Sequence, residues 1–65
     1  ITPREMEFLL LVCDPEEYTY EQMADRMGIH RRSVDNHRIS LFEKFGIKSK
    51  TGLVLFAMRW GVVRG

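Results

Sequence analysis

The 65-residue chain has one cysteine, two histidines and no long apolar run, and each scarcity removes a class of protein. A single cysteine, Cys13, cannot close an internal disulfide. With only His30 and His37 beside it, no His/Cys spacing suits zinc, so no metal ligand is expected. No stretch is long and apolar enough to span a bilayer, and no signal-peptide pattern opens the chain. Paired carboxylates, a nucleophile–base set and a phosphate loop are also missing, so no enzyme, catalytic residue or cofactor is expected. Nothing repeats and nothing is low-complexity. What is left is one small domain, residues 1–65, folded on apolar packing, with help from a second copy. The unpaired cysteine fits a reducing, cytoplasmic setting. Ile1 stands where an initiator methionine would, so the chain reads as a fragment of a longer protein.

The net charge of +1 hides an asymmetry. Residues 1–27 carry Arg4 and Arg26 against seven acids: Glu5, Glu7, Asp14, Glu16, Glu17, Glu21 and Asp25. Residues 28–50 carry Arg31, Arg32, Arg38, Lys44, Lys48 and Lys50 against Asp35 and Glu43. A basic segment inside a near-neutral domain is either a solvated face or the footprint of a polyanion.

Four helices are legible. Thr2, Pro3 and Glu5 form a capping box with proline at the first helical position, and Ile1 and Met6 are spaced as a hydrophobic staple. Met6, Leu9, Leu10 and Cys13 repeat at helical spacing as a buried stripe, which makes Cys13 a small core residue. Asp14-Pro15 ends that helix. Thr19-x-x-Gln22 caps a second, from Tyr20 to Met27, with Tyr20, Met23, Ala24 and Met27 inward. Gly28 supplies the left-handed residue a helix end favours. Ala24 before it permits a close helix crossing, and Val34 after it plugs the gap between the helices. Small residue, glycine and β-branched residue at these offsets is a helix-turn-helix pattern.

The third helix is expected from about Arg31 to Phe45, ending at Gly46. Turning roughly 100° per residue, it places Val34, Leu41, Phe45 and the stem of Arg38 inward. Arg32, Asn36, Ile39, Ser40 and Glu43 fall opposite, with Ser33 and Asp35 on the flanks. A polar, basic outer face with one aliphatic residue suits a major groove. Asparagine pairs with adenine, arginine with guanine, and an aliphatic group touches a thymine methyl. The fourth helix is expected from Ser49 as cap to near Gly61. Its run Leu53 to Met58, followed by Trp60, is apolar almost all round. The core needs Leu53, Phe56, Ala57 and Trp60, which leaves Val54, Leu55 and Met58 as a candidate pairing face.

These residues resemble the LuxR-type helix-turn-helix domain, also the output domain of NarL/FixJ-type response regulators. "ITPREMEFLL" looks like its opening helix, "TYEQMADRMGIHRRSVDNHR" its helix-turn-helix, and "LFEKFGIKSKTGLV" the junction of its third and fourth helices. The resemblance spans nearly the whole chain. It implies an all-α, four-helix domain that binds double-stranded DNA sequence-specifically and pairs with a second copy through the fourth helix. It implies an upstream regulatory domain in the parent chain, either a phospho-receiver in a two-component system or the ligand-binding domain of a quorum sensor, and RNA polymerase as a further partner.

Residue by residue, the resemblance carries Thr19, Tyr20, Ser33, His37, Lys44 and Lys50 to backbone-facing positions. It carries Asp35, Asn36 and Ile39 to base-reading ones. The polar groups His30, Arg31, Arg32 and Ser40 complete the candidate interface. Several positions depart from the family. His30 replaces a serine or threonine cap, and Ile39 replaces a polar residue. Asp35 stands where a basic residue is common; it repels phosphate, so it should accept from a cytosine amino group or orient Arg31 or Arg38. The first loop is about two residues longer, with Pro15 for a glycine, and Gly52 replaces glutamate or glutamine. Two other readings fit parts of the chain: the C-terminal domain of a sigma factor, and a protein-interaction module that has lost DNA.

Overall fold

The computed structural model describes residues 1–63 as four helices: α1 (Pro3–Val12), α2 (Tyr20–Met27), α3 (Arg31–Phe45) and α4 (Lys50–Arg59). Local caps set these boundaries. The Oγ1 of Thr2 accepts the Glu5 N–H while the Glu5 carboxylate accepts the Thr2 N–H, so the first capping box is closed both ways. Thr19 and Gln22 do the same for α2. Gly28 and Gly46 close α2 and α3 in the left-handed region, at φ 68° and 66°. Ser49 caps α4 through the Gly52 N–H.

α1 runs through the middle of the fold and packs on the other three helices, while α2 packs on α3. One core results, built on Phe8, Leu9, Met23, Val34, Leu41 and Leu53, all with no exposure, and closed by Val12, Ala24, Met27 and Ala57. The inward face expected for α2 is nearly as expected; Met23, Ala24 and Met27 are buried and Tyr20 packs at the edge.

The face of α1 differs from the expected stripe. Leu10 is 46% exposed and Met6 and Cys13 are only half-buried, whereas Glu5, Phe8, Leu9 and Val12 are buried. The apolar run Phe8–Cys13 fits two adjacent stripes equally well by spacing. Which one faces in was decided by packing that no local pattern carries. Phe45 and Trp60 also differ: they are 40% and 68% exposed rather than inward. They flank Phe56 instead, with ring centroids 4.6 Å and 6.0 Å away, and Ile1, Met6 and Val62 complete this apolar groove. The longer first loop turns on Glu17, a non-glycine residue at φ 53°, whose N–H bonds the Asp14 carbonyl. Among the described residues no helix is long and apolar enough to cross a membrane.

Candidate nucleic-acid interface

The turn at Gly28 launches α3 across α1 and α2. The Ile29 N–H bonds back to the Ala24 carbonyl at 3.0 Å, and Val34 sinks into the core with no exposure. With Val34 and Leu41 facing in, the opposite side of α3 must face out. Arg32, Asn36, Ile39 and Glu43 are exposed there, and Ser33, Asp35 and His37 are half-buried along the edges. His30 is exposed at the helix start and makes no side-chain cap bond, in line with the weak cap expected from its type.

Beside this strip a set of cations gathers on one ring. The Arg31 guanidinium lies 5.0 Å from the Tyr20 ring centroid, that of Arg38 5.7 Å, and the Lys50 ammonium 5.5 Å. A tyrosine face attracts such groups through its quadrupole. Asp35 pairs with Arg31 and stands 3.6 Å from Arg38. The Lys50 ammonium also donates to the Tyr18 carbonyl at 3.4 Å, which ties the start of α4 to the loop before α2. Thr19, exposed, has its hydroxyl oxygen taken by the Gln22 N–H.

Two candidate residues have partners inside the chain. Ser40, expected on the outer face, is half-buried and donates to Glu5 at 2.6 Å. The Lys44 ammonium donates to both Glu5 oxygens, at 2.8 Å and 3.0 Å. Ser40 and Lys44, each next in sequence to the strip residues Ile39 and Glu43, therefore reach toward α1, where their polar atoms are engaged. Burial pushes the Glu5 carboxyl up, but Lys44, Ser40 and Thr2 outweigh it by stabilising the anion, and it is held down at about 2. Burial raises the Cys13 thiol, as suits a residue packed at the core edge.

Arg38, of which the sequence reading placed only the stem inward and named the head as one choice of partner for Asp35, stands among these cations. Its guanidinium lies between Tyr20 and Phe42, 5.5 Å from the latter ring, beside the Asp35 carboxylate. The signal was present: Arg31, Asp35 and Arg38 stand at i, i+4 and i+7, the spacing at which helical side chains meet. Among the described residues no cluster of His, Cys, Asp or Glu is placed to hold a metal.

A bundle of this shape, with a glycine-turned helix pair and a polar outer helix, defines a helix-turn-helix domain. Residues 1–57 match the family described as bacterial regulatory proteins, luxR family (GerE). The chain belongs to that family: it is a LuxR-type DNA-binding domain of the kind carried by transcription regulators, and not an enzyme. It is similar to the uncharacterized response regulatory protein YgeK of Escherichia coli (strain K12). They are 32% identical over 62 residues, which cover 95% of this chain and 41% of YgeK. It is also similar to the transcriptional regulatory protein MctR of Rhizobium johnstonii, at 32% identity over 63 residues, covering 97% of this chain and 28% of MctR. The chain thus spans less than half the length of either relative. No solved structure matches it significantly.

Proposed function

We propose that this domain binds double-stranded DNA with α3 in the major groove. The observation that carries the reading is the exposed strip Arg32, Asn36 and Ile39 on a helix whose other side is locked into the core. Arginine and asparagine are the side chains best shaped for guanine and adenine edges, and isoleucine suits a thymine methyl. Tyr20, Arg31 and Lys50 lie on one flank with a basic surface for the sugar-phosphate backbone, joined by Thr19, His30, Ser33 and His37.

Two copies are needed, since one small domain makes few phosphate contacts. α4 supports the pairing: Leu55 is 59% and Met58 43% exposed, with the half-buried Val54 beside them. Half-sites about one helical turn apart follow from a two-fold dimer. The parent protein is proposed to be a cytoplasmic response regulator with a phospho-receiver domain, acting with RNA polymerase. Support comes from the relative named as a response regulatory protein and from the fraction of its length this chain spans.

The test is a fluorescence titration of mixed-sequence duplex across salt. Binding that weakens linearly in log–log form, steeply between about 50 and 200 mM salt, is the result expected of phosphate neutralisation. No binding at low salt would leave the fold as a protein-interaction module and overturn the proposal.

A further inference from the structure

Asp35 occupies a flank of α3 where it meets two arginines, one turn to either side. It is ion-paired with Arg31, and its Oδ1 is 3.6 Å from Nη2 of Arg38. Both guanidiniums and the Lys50 ammonium lie over the Tyr20 ring, within 5.0–5.7 Å of its centroid. Three cations and one carboxylate leave this corner with a surplus of positive charge. Arg38 is also short of acceptors. A guanidinium has five N–H donors, yet its nearest carboxylate oxygen is the one it shares with Arg31, and its Nε is buried without a hydrogen-bond partner. That burial shuts the Nε away from an incoming group, so it is the terminal nitrogens of a side chain 30% exposed that can meet an anion.

Both arginines lie against the same oxygen of Asp35, Oδ1. With its charge already met by two guanidiniums, the carboxylate is a weakened acceptor for a cytosine amino group arriving at Oδ2. The geometry points to Asp35 as a positioning residue: it holds Arg31 and Arg38 as a pair over Tyr20, and that pair, with Lys50, takes a backbone phosphate of the DNA. Two planar guanidiniums held near one ring carry forks whose geometry matches phosphate oxygens. Base reading then falls to Arg32, Asn36 and Ile39. This inference rests on the reading of α3 as the groove helix, and it adds Arg38, which that reading leaves out.

The test uses four variants of the domain: Asp35→Asn, Arg38→Gln, Arg38→Lys and, as a control on base reading, Asn36→Ala. Each is checked for fold by circular dichroism, then used to select sites from randomised duplex and titrated across salt. Arg38→Gln should keep the parent's preferred bases, bind roughly tenfold more weakly, and lower the salt slope by about 1. Arg38→Lys should restore the slope, because it restores the charge. Asp35→Asn should also keep the preferred bases. A changed base identity in the Asp35→Asn selection would make Asp35 a reader and overturn the inference. So would an unchanged salt slope in Arg38→Gln. Inorganic phosphate at constant ionic strength should not displace DNA from the parent; displacement that Arg38→Gln abolishes would assign the site to a free anion and overturn the backbone assignment. If the parent shows no salt-dependent binding, the groove reading itself fails. If the parent and Asn36→Ala behave as a reader and its knockout while the Asp35 and Arg38 variants do not behave as stated, only this inference fails.

Discussion

The carboxylate of Glu5, in the first turn of α1, holds the ammonium of Lys44, in the last turn of α3, at 2.8 Å and 3.0 Å, and the Ser40 hydroxyl at 2.6 Å. Glu5 is 3% exposed and at the same time completes the capping box of α1. One side chain therefore starts the first helix and fixes the angle of the helix proposed to meet DNA. Folded Glu5 titrates at about 2 against an ordinary 4.5. Its contribution to stability is whole above the ordinary value and is lost as pH falls from there toward the folded one. Glu5→Gln should lower stability at neutral pH by about 2 kcal/mol, because the Ser40 hydroxyl and the Lys44 ammonium lose a buried, charged acceptor. It should also flatten the acid limb of the stability curve. Urea denaturation at neutral and acid pH measures both; an unchanged acid limb would show that Glu5 is not the group being titrated.

Gly52 and Ile47 form a second coupled pair. A Cβ built on Gly52 meets the Ile47 Cγ2 at 2.9 Å, and that methyl is rigidly attached at a branched Cβ. Glycine in the first turn of α4 thus makes room for Ile47 as well as weakening the helix. Gly52→Ala should bring no gain in melting temperature, although alanine favours helix over glycine by about 1 kcal/mol. Ile47→Leu moves the branch point outward, and in that background Gly52→Ala should stabilise. Thermal melts of the four-member cycle check this; a stabilising Gly52→Ala in the parent background counts against the contact.

On α4, Leu55 at 59% exposure is a cleaner probe of pairing than Val54, which is half-buried and packs on the core. Leu55→Glu should leave the fold intact and abolish cooperative binding to a duplex with two half-sites. The parent should sediment mainly as a monomer at about micromolar concentration and pair on DNA, because one helix face is small by the standard of stable interfaces. A folded Leu55→Glu domain that still bound cooperatively would move the pairing surface elsewhere.

Helix boundaries were legible because each is set by neighbours in sequence. Thr2 with Glu5, Thr19 with Gln22, and Gly28, Gly46 and Ser49 are all local signals. The inward residues of α2 were legible because a strongly two-sided helix has one way to face a core, and the outward residues Arg32, Asn36 and Ile39 of α3 because Gly28 and Val34 fix which side of that helix faces in. What escaped depended on distant partners. The bonds of Ser40 and Lys44 to Glu5 left no local sign because Glu5 lies 35 and 39 residues away. The α1 stripe was read one position off because six consecutive apolar residues give no contrast between faces. Phe45 and Trp60 read as core because bulk and apolarity, without position, cannot tell a core residue from one at a helix end. The Tyr20 cluster needed α2, α3 and α4 to be placed together before its three cations could be seen to share one ring.

The central claim is that α3 reads sequence, and Asn36 tests it most directly. Asn36 is exposed on the outer strip, so Asn36→Ala should not disturb the fold. The measurement is site selection from randomised duplex by the parent and by Asn36→Ala, at one salt concentration. The account predicts that the variant loses preference for adenine at one position of each half-site, worth about 1–3 kcal/mol there, and keeps the other preferred bases. Indistinguishable sites from parent and variant would contradict it.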